Sequence, residues 1–98
     1  MFAVLTIAQQ KIDTLDDSIR IFKFKSLPAN KMQKGFKGTY LLTNRKTGKT
    51  IVLNLWESKD DAVNTEQSGY CQSQMEEFNN LCTTPPVHEW YEVSVYEG

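Results

Sequence analysis

One histidine, two cysteines, three prolines and no long apolar run are the scarcities of this 98-residue chain, and each excludes something. The apolar start Met1–Ala8 is too short to span a bilayer and lacks the basic opening and cleavage site of a signal peptide, so a cytoplasmic location is expected. Cys71 and Cys82 lie in what reads as one helix, about 16 Å apart at 1.5 Å per residue. That is too far for an internal disulfide, and their shared helix face points to buried, reduced thiols. No CxxC or Cys/His spacing suggests a metal, and the lone His88 has no positioned partner for a Ser/His/Asp or Cys/His catalytic set. No metal, no cofactor and no catalytic residue is therefore assigned from the residues.

Charge is nearly balanced: eleven basic residues against twelve acidic ones give a net charge of −1. This supplies no long-range attraction for a phosphate backbone or an anionic membrane, so neither nucleic acid nor membrane is an expected partner. Lys23, Lys25, Lys31, Lys34 and Lys37 do cluster, but acidic residues flank them and no aromatic platform is evident between them. They read as a solvated helix face. With 40% hydrophobic and 23% charged residues, the chain is expected to be one globular domain, 1–98. A domain this small keeps much of its surface exposed, so surplus apolar faces become candidate interfaces.

Phe2–Gln9 has the composition of a strand covered on both faces. Asp13 or Thr14 can cap a following helix, with Asp16 and Asp17 in its first turn and Leu15, Ile19 and Phe22 at helical spacing. Pro28 predicts a kink or break near Lys25, with helix resuming over Ala29–Lys34 and ending at a left-handed Gly35. Phe36–Arg45 and Lys49–Glu57 read as two strands joined by the three-residue loop Lys46-Thr47-Gly48. Pairing Arg45 with Lys49 sets Leu42 against Val52, Tyr40 against Asn54 and Gly38 against Trp56 on one side, with Leu41, Ile51, Leu53 and Leu55 on the other. Ser58-Lys-Asp-Asp61 resembles a capping box opening a short helix to about Glu66, and Gly69 separates it from the next. In Tyr70–Cys82, Cys71, Met75, Phe78 and Cys82 form an apolar stripe; Pro85 and Pro86 stop that helix before a last strand, Val87–Tyr96.

The order strand, helix, strand, strand, helix, strand predicts an α+β, ferredoxin-like βαββαβ sandwich: a four-stranded antiparallel sheet with both long helices on one face. The other face, carrying Ile51, Leu53, Leu55 and residues near Leu5 and Ile7, would then need a cover. Two-fold pairing with a second copy supplies one, so a homodimer is expected.

Three segments, Lys34-Gly-Phe-Lys-Gly-Thr-Tyr40, Asn44-Arg-Lys-Thr-Gly48 and above all Leu55-Trp-Glu-Ser-Lys-Asp-Asp-Ala62, resemble the antibiotic biosynthesis monooxygenase (ABM)-like family of dimeric α/β barrels. The similarity extends to the closing Tyr91-Glu-Val-Ser-Val95. The resemblance implies a cofactor-independent monooxygenase acting on a small aromatic or quinone-type molecule, in which an ionisable phenolic substrate itself donates the electron to dioxygen. The alternative is a non-catalytic dimeric barrel that binds a metabolite or a protein partner. Trp56 matches the family's tryptophan at the end of the third strand, and its indole N–H would serve as a donor to a developing phenolate. Asn54 and Tyr40 would join it as substrate-binding residues in the register given above. The haem-degrading branch would place a histidine on the second long helix, which instead reads Tyr70-Cys-Gln-Ser-Gln-Met-Glu-Glu-Phe78.

Overall fold

A computed structural model describes residues 1–67, 76 and 78–98. Strand β1 (Phe2–Gln9) is followed by a 3-10 turn (Ile12–Thr14), helix α1 (Leu15–Ile21), a π-helical turn (Phe22–Ser26) and helix α2 (Leu27–Lys31). The hairpin strands β2 (Phe36–Thr43) and β3 (Lys49–Trp56), helix α3 (Lys59–Gln67) and strand β4 (Val87–Glu92) complete the named elements. Residues 78–81 are also helical. Gly69, Tyr70, Cys71 and Met75, to which a helix break and a stripe were assigned, lie outside the described residues.

The four strands form one antiparallel sheet in the order β2-β3-β1-β4, the ferredoxin-like arrangement. The central place of β1, paired on both edges, accords with its largely apolar composition.

The kink expected from Pro28 takes the form of a wider turn. Proline has no N–H to give and its ring crowds the carbonyl four residues back, so a regular α-helix cannot run through it. Here Leu27 N–H bonds the carbonyl of Phe22, five residues back, and Pro28 falls in the first turn of the α2 segment, so the helical path continues. It ends at Lys31 rather than Lys34, where Met32 and Gln33 close tighter turns onto Ala29 and Asn30. Gly35 does adopt positive φ (81°), in the turn that leads into β2, and its carbonyl accepts Glu57 N–H at 2.7 Å.

The hairpin is where sequence and structure part. Asn44, not Arg45, pairs with Lys49, closing a four-residue loop. Asn44 causes this: its side-chain oxygen accepts the N–H groups of Lys46 (2.9 Å) and Thr47 (3.3 Å), and its carbonyl accepts Gly48 N–H at 2.8 Å. Gly48 sits at φ 80°, and a Cβ there would run into the carbonyl oxygen of Gln10. One extra loop residue moves the side chains of Gly38–Thr43 to the other face. Tyr40 therefore pairs with Leu53, Leu41 with Val52, Leu42 with Ile51 and Thr39 with Asn54; Gly38 pairs with Leu55, not Trp56. A bulge at Lys37 restores the earlier parity beyond it, bringing Phe36 opposite Trp56.

The two faces of the sheet differ. Towards the helices point Val4, Thr6, Ala8, Thr50, Val52, Asn54, Trp56, His88 and Trp90, and most of the buried residues of the sheet are here. The opposite face carries Leu5, Ile7, Ile51, Leu53 and Leu55, half-buried, within a rim of Tyr40, Leu42, Val87 and Tyr91, each 50 to 56% exposed. No described helix covers it. On that rim the Tyr91 phenol donates to Glu89 at 3.0 Å, and this bond, then the carboxylate's charge, raises its pKa above the usual tyrosine range. The last strand ends at Glu92 rather than Tyr96, held there by Val93 N–H on the carbonyl of Met1.

Candidate functional site

An aromatic row crosses the helix-facing side of all four strands at one end of the sheet. Phe36 on β2 meets Trp56 on β3 edge to face, with ring centroids 5.7 Å apart; Phe2 on β1 lies opposite Trp56 and 5.9 Å from Trp90 on β4. The Lys37 bulge is what turns Phe36 into this row. Such contacts add about 0.5–1.5 kcal/mol each to the burial of the rings.

Above the row lies a cleft of about 480 Å³, bounded by the two indoles, by Asn54, Thr6 and His88 on the strands, and by Ala62 and Glu66 on α3. Its volume suits a small organic molecule, and its walls alternate apolar surface with a few polar groups. The capping box at the start of α3 positions the helical wall: Ser58 Oγ accepts Asp61 N–H at 3.2 Å and donates to Asp61 Oδ2 at 3.1 Å. Gly35 lies against that carboxylate, and a Cβ there would collide with it.

Trp56 is 3% exposed, and among the described residues no acceptor is bonded to its indole N–H. Asn54 Oδ1 accepts the Thr39 hydroxyl at 2.7 Å, so Nδ2 is the part of the amide left to donate to a ligand. Tyr40 is on the opposite face and does not join them; Thr39 holds the place it was assigned, because of the longer hairpin loop. The imidazole of His88 borders the cleft with Nδ1 hydrogen-bonded to Thr6 Oγ1 (3.1 Å), which fixes the ring and turns Nε2 into the other available polar atom. Among the described residues Glu66 is the only side chain of fixed formal charge along the wall, and no Lys or Arg lines it.

His88 and Trp90 are the wall residues that sequence reasoning missed. In the sequence His88 has no neighbouring partner for a catalytic set or a metal site, and the alternation of Val87 and Tyr91 with His88 and Glu92 does not say which parity of β4 faces the helices. Pairing β4 with β1 reveals their place, since Trp90 is opposite Val4 and His88 opposite Thr6. Among the described residues no group of three or more His, Cys, Asp or Glu could hold a metal ion, and no helix is long and apolar enough to cross a membrane. Cys82 is free and half-buried, and burial pushes its thiol above the usual range.

No protein-family model matches the sequence, and no curated protein does. Solved structures similar to it do exist. A monooxygenase from the gene ActVA-Orf6 of Streptomyces coelicolor, in complex with the ligand Nanaomycin D, superposes with a TM-score of 0.82 at 13% identity over 99% of this chain and 92% of that one. The haem degrader MhuD of Mycobacterium tuberculosis, with two haems in its active site, gives 0.79 at 17% identity over the whole of both chains. An antibiotic biosynthesis monooxygenase gives 0.77 at 9% identity over 97% of this chain and all of that one. The chain therefore has the fold of the antibiotic biosynthesis monooxygenases, a ferredoxin-like α+β sandwich on a four-stranded antiparallel sheet.

Proposed function

We propose that this chain is an ABM-like protein that works as a homodimer and binds a small aromatic or quinone-type molecule in the cleft over Trp56 and Trp90, with a cofactor-independent monooxygenase reaction as its activity. The observation that carries the reading is the cleft itself: two indoles and an asparagine amide whose free donor edge borders an apolar space. A planar phenol would lie against the indole surface. His88 Nε2 would accept its hydroxyl proton, with Thr6 holding the ring in place, and the resulting oxyanion would be met by Trp56 Nε1–H and Asn54 Nδ2–H. Such an anion can pass an electron to dioxygen; one oxygen atom ends in the product carbonyl and the other in water. The protein's share is to bind, orient, take the proton and keep bulk water away. Trp56 and Asn54 keep the substrate-binding roles expected of them, and Thr6 and His88 take the part expected of Tyr40.

The second face of the sheet supports dimerisation. Five aliphatic residues inside a rim of four exposed hydrophobics make a contiguous apolar surface of the kind that marks an interface, and its position on an open sheet face suits two-fold pairing. Haem, which one structural neighbour holds, would have one imidazole to turn to among the described residues of the cleft. That ring, His88, is exposed and stands on β4 rather than on the second long helix, a poor match to a buried axial ligand.

The test is oxygen uptake by the purified protein with a panel of hydroxyanthrones and hydroquinones, alongside fluorescence titration of the same compounds. Turnover of at least one, slowed about tenfold by Trp56→Phe through the lost hydrogen bond, is expected. No oxygen uptake together with unchanged affinities in Trp56→Phe would overturn the reading. A Soret shift on adding haem would replace it with the haem branch.

A further inference from the structure

The net charge of −1 averages two unlike parts of the chain. Residues 18–56 hold nine of the eleven Lys and Arg and no Asp or Glu, whereas the remainder holds all twelve acids. In the fold the basic part runs from α1 to β3, and so occupies the β2 side of the sheet; seven of the twelve acids lie on α3, β4 and the first turn of α1. Of those first-turn acids, Asp16 pairs with Arg45 at 2.9 Å and Asp17 with Arg20 at 3.4 Å. Neither therefore offsets the lysines further along the helical path.

The π turn arranges that path. With a regular α-helix Phe24 and Met32 would diverge by a quarter turn, but the wider turn over Phe22–Ser26 brings Phe24, Pro28 and Met32 to within roughly 40° of one line. All three are exposed, Phe24 at 69% and Met32 at 85%. Lys23 and Lys31 flank this stripe on one side and Lys25 on the other, with Lys34 and Lys37 following; every one of these lysines is exposed. Lys23 Nζ stands 5.8 Å from the Phe24 ring centroid, so charge and apolar surface meet on one outward face.

We propose that this stripe docks on a membrane surface rich in anionic lipid, with Phe24 and Met32 entering at headgroup depth and the surrounding lysines meeting the lipid phosphates. An amphipathic helical face of apolar side chains bordered by lysine has the chemistry of interfacial binding, and each lysine near such a surface adds to the attraction. Nucleic acid fits less well: the patch is a convex helix face with one ring to stack on, and its helical part offers ammonium groups rather than guanidinium forks. None of these residues lines the cleft, and the helices lie on the side of the sheet away from the bare apolar face. The docking surface thus stands independently of the proposed ligand and stays open in a dimer paired through that face.

The test is co-sedimentation of the whole chain with phosphatidylcholine vesicles and with vesicles containing about a third phosphatidylserine, at low and high salt. Retention on the anionic vesicles alone, at least tenfold weaker at high salt, is expected. Phe24→Ser, and separately the pair Lys31→Glu and Lys34→Glu, should each lower retention about tenfold, with thermal melting unchanged because these side chains are exposed. The proposal fails if the protein stays in solution with anionic vesicles at low salt, or if Phe24→Ser is retained as well as the parent. It also fails if a single-stranded oligonucleotide strips the protein from the vesicles at lower concentration than free phosphatidylserine vesicles do.

Discussion

The same four strands present two apolar faces, and the two have been put to different use. The helix-facing side interrupts its hydrophobes with Thr6, Thr50, Asn54 and His88, and the polar atoms of Thr6, Asn54 and His88 are tied to one another or to Thr39 beside an open cleft. The bare side is aliphatic at its centre, with polar atoms only at its rim. A polar group beneath a helix is costly without a partner, so its presence on the covered face calls for a purpose there. A uniform aliphatic surface has no such chemistry, and what it can do is meet another surface.

Three substitutions would break or sharpen that contrast. The largest effect is expected from Leu53→Glu at the centre of the bare face. Two carboxylates brought together at a two-fold interface should weaken pairing by about 3–5 kcal/mol or more, while the separated chain stays folded. Sedimentation velocity would show the change from pair to single chain, and circular dichroism would check folding. A dimer that survives this variant would mean that the aliphatic face is not the contact.

Trp56→Ala acts on the covered face. Removing a buried indole that meets Phe36 should lower unfolding stability by about 3–5 kcal/mol, measured by urea denaturation. The loss should be visible in the isolated chain, unlike that from Leu53→Glu; equal losses from both would erase the distinction between the faces. Smallest is Gly48→Ala, which tests the loop that assigns β2 side chains to their faces. Positive φ and the approach of the Gln10 carbonyl should make it cost about 1–3 kcal/mol by the same measurement. A neutral result would mean that the loop can rearrange without moving Tyr40 and Thr39 between faces.

The element order, the span of β1, the capping box at Ser58 and the apolar second face were all legible, because each follows from local spacing: alternation, capping chemistry or an unbroken β-rich run. The site was legible in part. Trp56 and Asn54 were placed on one face because they are two residues apart on one strand, a relation no turn can alter. Tyr40 was lost because its face depends on the pairing of a second strand, and that pairing changed when the side chain of Asn44 captured two loop N–H groups. His88 and Trp90 were missed for a similar reason, since nothing near them in sequence says which parity of β4 faces the helices.

The chain by itself determined periodicities, caps and the supply of two apolar sheet faces, since these are properties of neighbouring residues. Tertiary structure alone decided which side chains share a wall. It ran β4 beside β1 so that Thr6 meets His88, and laid β2 against β3 so that Thr39 rather than Tyr40 meets Asn54. The physical reason is that a strand's side-chain period is two, so a shift of one residue in any long-range pairing exchanges the faces, and no local preference is strong enough to forbid that shift.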